Sequence, residues 1–435
     1  MDRRKFISLT TMLPLLGFKG LLDSLSATSS NFSFKQNLKK DPKHIIDIHP
    51  SLKYNLISTV GSKMSDGYKV PALADGMGSF FIDDNIILIR NHELVPKDGM
   101  DNGPFHQPSM QIQKLGNKHY DKDCIGGTTT IVLNKDSKKV INEYLSLSGT
   151  RNNCAGGVTP WGTWLSCEED ISKKRKGKTP HGYVFEVDPK IKGLTKPNPI
   201  KAMGRFNHEA VAFDQFSNAY LTEDRKNGLI YKFVAQNKNN LNKGDLFALQ
   251  IQGVGDSRNW KKNKIHKNIK YAVNWIKIDD NDPEKDTMRY EGINNGATPF
   301  ARPEGIIADG NSIYICCTSG GRLKKGQIWK LTIDSKDNPM IELWYEVRDK
   351  NSLNMPDNLT ISPWGDLIVC EDNPDLNRLW GINSSGNPYL IAENNYSGSE
   401  FAGVCFSPID NTMFVNLQGN GMTLSISGNW ENLII

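Results

Sequence analysis

Several common signatures are missing from this 435-residue sequence. Its seven cysteines form no CxxC pair, which argues against a zinc ribbon. There is no GxSxG, so no serine nucleophile elbow is present. No segment reaches the roughly 20 apolar residues of a membrane-spanning helix. The long charged-helix patterns of a bundle are absent too, while glycine and asparagine are frequent, which leans toward an all-β chain with many turns. The odd cysteine count leaves at least one thiol unpaired even in an oxidising compartment. Most of the cysteines sit inside apolar strand patterns and read as small core residues, with Cys167 the exception.

Charge is nearly balanced, at +5 from 53 basic and 48 acidic residues. The basic stretch Lys173–Lys178 and the lysines near position 262 read as solvated loops, so no nucleic-acid surface is expected. A mild positive field would help to draw in anionic substrates. The length exceeds what one small core supports, but a propeller grows by repeating sheets around an axis.

The first thirty residues read as a signal peptide. Arg3-Arg4 and Phe6 precede a modest apolar run from Ile7 to Phe18, and small residues follow from Ser24 to Ser30. The paired arginines fit twin-arginine export to the periplasm or exterior, a route for proteins that fold, often with a cofactor, before transport. Thr10, Thr11 and Pro14 make the run too polar and short for a stable membrane anchor. Residues 31–435 then form one catalytic domain, expected as a monomer.

One hairpin pattern recurs six times: an acidic or small residue, an apolar strand, a turn, a second apolar strand, and an acid. The copies begin at Asp75, Cys154, Glu209, Glu304, Asp357 and Glu400. Glu209 to Glu223, Glu304 to Thr318 and Asp357 to Glu371 each span 14 residues. Such self-similarity with irregular spacing predicts a six-bladed β-propeller with loop insertions between blades. The asparagine- and lysine-rich stretch 236–295 reads as an outer-strand insertion or a lid.

The first and last residues of a hairpin lie at the same end of it. Inner hairpins would therefore ring the axis with Glu93, Glu168, Glu169, Glu209, Glu223, Glu304, Asp357, Glu371, Asp372 and Glu400. Crowded carboxylates raise one another's pKa and call for cations, and oxygen-rich sets suit Ca²⁺ and other hard ions. Cys167 beside Glu168 and Glu169 is either core filler or a thiolate suited to iron. Arg302, two residues before Glu304, is either a salt-bridge partner or a bidentate phosphate contact. His92 and His208 each precede a candidate acid and read as ligands, as residues orienting a ligand, or as structural groups.

The stretches Asn153–Glu169, Gly204–Glu209, Thr222–Arg225, Arg302–Gly305, Pro356–Asn358 and Ser399–Gly403 resemble the PhoX family of secreted alkaline phosphatases. The resemblance implies a six-bladed propeller that hydrolyses phosphate monoesters outside the cytoplasm. It implies two Fe³⁺ ions bridged by an oxo group, with Ca²⁺ close by, and a metal-bound oxo, hydroxide or water as nucleophile. Cys167 then looks like the iron thiolate ligand, and Glu209 and Glu304 like iron-site carboxylates. Glu168, Glu169, Glu223, Asp357 and Glu371 fall to the remaining metal positions. Arg302, with Glu304 beside it in the catalytic pair, looks like the phosphate contact. Small-molecule phosphate esters and the twin-arginine export machinery are the implied partners. A calcium-dependent propeller lactonase or esterase would share the acids without needing Cys167 or Arg302, and a non-catalytic binding propeller would need none of them.

Overall fold

A computed structural model of the chain describes residues 38–433, apart from 173–176, 262–264, 335–337 and 350. The expected export signal, residues 1–30, lies outside the described residues. The architecture is all-β and propeller-like. Two short helices, α1 (Pro108–Leu115) and α2 (Met288–Asn294), sit in connections.

Six antiparallel hairpins carry the fold. Their inner strands are Ala74–Ile82, Asn153–Val158, His208–Phe213, Pro303–Asp309, Pro356–Ile361 and Phe401–Phe406. Each inner strand packs against the next, and the last returns to the first, closing a ring around an axis. The turns are local in origin. Asp83 and Asp84, for example, both take positive φ, the type I′ geometry that matches strand twist.

The described residues form five hydrogen-bonded sheets. The third and fourth hairpins share one nine-stranded sheet, because Lys270–Lys277 pairs with Met340–Glu346. The stretch 236–295 contributes to the sheet: it completes Ile230–Asn237, supplies Asn240–Ile251 and Lys270–Lys277, and ends in α2. Apolar clusters fill the wedges between neighbouring sheets. One joins Leu165 and Val184 to Val211, Leu221 and Phe233, all buried. All seven cysteines are buried and unpaired.

Two repeating devices shape the open end of the hairpins. One is a backbone hydrogen bond from the residue after the second strand to the carbonyl before the inner strand. It joins Glu93 to Leu73, Glu169 to Asn152, Asp224 to Asn207, Thr318 to Arg302, Asp372 to Met355 and Gln418 to Glu400, at 2.9–3.2 Å. The other is a register shift near the start of every inner strand, falling between Ala74 and Met77 in the first and at the matching place in the next four. The sixth shifts one residue later, between Ala402 and Cys405. A bulge re-aims the side chains beside it. Close packing constrains the same stretch: a Cβ on Gly157 would lie 1.8 Å from the Val211 carbonyl.

The ring closes through the chain's two ends. Leu52–Thr59, from the N-terminal side, completes the last sheet by pairing with Met422–Gly428. Just before it, Asp47–Ile48 pairs with Pro388–Asn394 of the neighbouring sheet. Asp47 fixes that junction by accepting from Lys40 at 2.5 Å, Tyr396 at 2.6 Å and Asn395 at 2.8 Å. Burial alone would raise its pKa, but these bonds outweigh it and hold the group at about 2, below the ordinary 3.8. With the folded value depressed, the stability this group contributes is present above pH 3.8 and is lost as pH falls through 2. Asp47→Asn should therefore lower stability by about 1–2 kcal/mol at pH 7, after allowing for solvent screening around Lys40. The difference from wild type should vanish toward pH 2 in acid-titrated melting curves.

Candidate metal centre

The repeating hydrogen bond defines equivalent positions in the six hairpins, and the chemistry follows from them. The second residues of the first five inner strands are Asp75, Cys154, Glu209, Glu304 and Asp357, and Ala402 takes that place in the sixth. The residues just after the second strands are Glu93, Glu169, Asp224, Thr318, Asp372 and Gln418. The residues just before the inner strands include Asn152, Asn207, Arg302 and Glu400. These three tiers meet at one end of the axis.

The tiers bring nine carboxylates together with one thiol and one guanidinium. Glu93 lies beside Asp75 and Glu169, and Glu304 lies beside Asp357. Gln418 donates to Asp75 at 3.0 Å and to Glu93 at 2.7 Å. Asn152 and Asn207 hold Glu169 from two sides, at 3.1 and 2.7 Å. The Cys154 thiol lies against Glu169 and Glu209, with the three donor atoms within 4.8 Å of one another.

Burial pushes Asp75, Glu93, Glu169, Glu209, Glu304, Asp357 and Glu400 above the ordinary carboxylate range. Facing acids add to the shift. Asp357 acts across the axis on Asp75, Glu209 and Glu400. Burial and then Glu209 raise the Cys154 thiol as well. Burial and mutual repulsion both disfavour ionisation of these groups, and cations among them would restore charge balance. The donors fit that role: a thiolate and carboxylates suit iron, and carboxylates alone suit calcium.

Arg302 sits at the rim of this cluster, a quarter exposed. Its φ of 53° is unusual for any residue before proline and turns the side chain toward the axis. The guanidinium grips Asp224 with Nε at 2.9 Å and Nη2 at 3.2 Å, pairs with Glu304, and reaches Asp372 at 3.5 Å. Burial lowers its pKa, but Glu304 and Asp224 more than reverse that, so the group is a fixed cation.

Four of the metal residues expected from the sequence do not face the axis. Glu168, Glu223 and Glu371 end their strands pointing into their own sheets, one position short of Glu169, Asp224 and Asp372. Their oxygens are occupied there. Glu168 accepts from His181 at 2.7 Å and from the Arg151 and Gly182 amides at 3.0 and 2.8 Å. Glu223 accepts from Tyr231 and the Leu229 amide at 3.0 and 3.2 Å. Glu371 takes both arms of Arg378, at 2.8 and 3.1 Å, and the Trp380 indole at 2.9 Å. Cys167 and Cys154 are both buried in the apolar cluster between two sheets, but Cys154 is the one whose sulfur also lies within 4.8 Å of Glu169 and Glu209 oxygens. The cause is strand alternation, which sends neighbouring side chains to opposite faces. His92 and His208 likewise point away, bonded to the carbonyls of Ala72 and Gly204 at 2.9 Å.

Glu169, Glu209, Glu304, Asp357 and Arg302 are brought together. Asp75, Asp224 and Cys154 join them without having been selected for the ring. For Cys154 a signal existed: it heads its copy of the hairpin, in the same column as Asp75, Glu209, Glu304 and Asp357. The opposite end of the axis differs in kind. A cavity of ≈ 440 Å³ there is lined by such residues as Met77, Val158, Phe213, Ile306 and Phe406, and by no carboxylate.

Comparison with known proteins adds to this geometry. The family model described as "Alkaline phosphatase PhoX" matches residues 33–421. No curated protein matches the sequence. Among solved structures the chain is similar to Pseudomonas fluorescens PhoX in complex with vanadate, described as a transition state analogue. The identity is 18% and the TM-score 0.67, covering 88% of this chain and 96% of that one. It is also similar to a catalytically inactive virginiamycin B lyase from Staphylococcus aureus with quinupristin, at 12% identity and TM-score 0.40, covering 86% and 99%. XC5397 of Xanthomonas campestris, a gluconolactonase, matches at 8% identity and TM-score 0.42, covering 87% and 96%.

The two thiols separate cleanly by experiment. Cys154→Ser should lower transition-metal content several-fold, read by elemental analysis of the purified protein. Cys167→Ser should leave metal content at the wild-type level and cost only stability, about 1–2 kcal/mol for a polar group placed in a dry core.

Proposed function

This chain belongs to the alkaline phosphatase PhoX family, and from that membership we propose how its axial centre works. The protein is a phosphatase. Its substrates are phosphate monoesters, bound at the acid-lined end of the axis. Two ferric ions and calcium are the cations we assign to that end. Cys154, Glu169 and Glu209 would hold iron, since a thiolate is a poor calcium ligand. Asp75, Glu93, Glu304, Asp357, Asp372 and Glu400 would hold calcium or bridge to it. Bound there, such cations supply Lewis-acid stabilisation of the charge that builds on phosphoryl oxygens, together with an activated nucleophile at neutral pH.

The chain's own residues do the rest. Arg302 meets the anionic group with a planar fork, whose geometry matches two phosphoryl oxygens. Asp224 holds that fork in place before substrate arrives, so little freedom is lost on binding. Asn152, Asn207 and Gln418 fix the orientation of Glu169, Asp75 and Glu93, leaving other carboxylate lone pairs for cations. The observation that carries this reading is the convergence of one thiol, nine carboxylates and one arginine on a single end of the axis. A calcium lactonase would use the acids alone.

Two further points belong to the same reading. We count the nine-stranded sheet as two blades, which makes six and gives each tier six positions. We also assign residues 1–30 to twin-arginine export, with the mature enzyme working in the periplasm or outside the cell.

Arg302→Lys tests the phosphate role. Lysine retains the charge and loses the fork, so kcat/KM for p-nitrophenyl phosphate should fall about 30-fold, equivalent to about 2 kcal/mol of transition-state stabilisation. Inhibition by inorganic phosphate should weaken in step. A lower Tm with phosphate inhibition unchanged would make Arg302 a structural ion-pair residue only.

A further inference from the structure

A second cluster of metal-ligating side chains lies where two loop segments meet, on the far side of Glu168 from the axial centre. Asp121, Cys124 and His181 are all buried, and their donor atoms lie within 4.8 Å of one another. His181 Nε2 is 3.2 Å from Asp121 Oδ2 and 3.7 Å from Cys124 Sγ. Its other nitrogen, Nδ1, is 2.7 Å from Glu168 Oε1. We propose that Asp121, Cys124 and His181 form a separate binding site for one zinc-class divalent ion, with Glu168 orienting the histidine from behind.

Three observations carry this. The donor set is one nitrogen, one sulfur and one oxygen, which suits zinc and its neighbours and disfavours calcium. The spacing fits as well. Ligand bonds of about 2.0–2.3 Å in a tetrahedron put nitrogen and oxygen about 3.4 Å apart, and nitrogen and sulfur about 3.6 Å apart. A single Nε2 proton shared between an oxygen and a sulfur at these distances would make only a weak three-centre hydrogen bond. The carboxylate behind the imidazole is the arrangement that metal-bound histidines usually have. It fixes the tautomer and aims Nε2 at the other two donors.

The loop is shaped for the purpose. Asp121 Oδ1 accepts from the Asp123 amide at 3.0 Å, and the Asp121 carbonyl accepts from the Cys124 amide at 3.0 Å. This tight turn presents Oδ2 and Sγ to the same point. The Tyr120 ring meets His181 edge-on at 5.4 Å, and its hydroxyl donates to the Pro180 carbonyl at 2.7 Å, so the imidazole is confined. A solvent-open cavity of ≈ 410 Å³ borders the cluster at Asp121, with Tyr120, Asp123 and Thr179 beside it, and would be the ion's way in. Binding releases the Cys124 and Nε2 protons to solvent. The ion would tie this loop to Glu168, next in sequence to Glu169 of the axial centre.

The test is zinc titration of the purified full chain, read by elemental analysis and melting temperature, for wild type, Cys124→Ser and the near-isosteric Asp121→Asn. We expect about one zinc per chain to be lost in each variant while iron stays at the wild-type level. Added zinc should raise the Tm of wild type by several degrees and leave the variants unmoved. Cobalt gives a second reading that holds even where a variant folds poorly: its thiolate absorption at this site should survive in Cys154→Ser. Wild-type protein that takes up no zinc would overturn the site, as would Asp121→Asn with a full complement.

Discussion

Like charges held close together away from water dominate this structure. Two carboxylates about 4 Å apart repel by about 4 kcal/mol at an effective dielectric of 20. Nine such groups share one end of the axis, with Arg302 as the cation that touches three of them. The upward shifts of Asp75, Glu209 and Glu304 express this, because burial and facing acids both oppose ionisation. A chain with no use for cations would have little reason to gather these groups, since the cavity at the opposite end of the same axis is lined by no carboxylate.

The scaffold exists to hold that arrangement against its own repulsion. Each inner strand is bonded to its partner strand and also to the next hairpin. Asn91 donates to the Ala155 carbonyl at 2.7 Å, Thr318 to Pro356 at 2.9 Å and Asn416 to Asp75 at 2.6 Å. Glu168, Glu223 and Glu371 anchor the ends of three second strands from behind, through His181, Tyr231 and Arg378. The acid doublets therefore divide the labour: one member faces the axis and its neighbour fixes the strand that carries it. Closure by Leu52–Thr59 leaves the last sheet no gap through which the ring could relax.

The sequence made the hairpins legible, because turn residues bracket apolar runs at each copy. It also made the end of the axis legible, since acids cluster at hairpin ends. It did not reveal which member of each doublet faces inward. Trp164–Glu168, Ala219–Glu223 and Leu367–Glu371 are buried on both faces, so no polar alternation marks the phase. The bulge in each inner strand then shifts the partner's phase as well. Cys167 adjoins the acids in sequence, whereas Cys154 is the thiol whose sulfur meets Glu169 and Glu209 in space. Thr318 falls where Asp224 and Asp372 stand in their copies, because the fourth hairpin pairs Pro303 with Cys317, one residue shorter than the pairing of His208 with Glu223. Sequence spacing alone hides that slip.

Anomalous diffraction from crystals of the mature protein, collected at the iron edge, tests the central claim most directly. The account predicts iron peaks at the acid-lined end of the axis, with Cys154 Sγ and a Glu209 oxygen within bonding distance and Cys167 remote. Crystals of active enzyme with no metal among these acids, or with iron on Cys167, would contradict it.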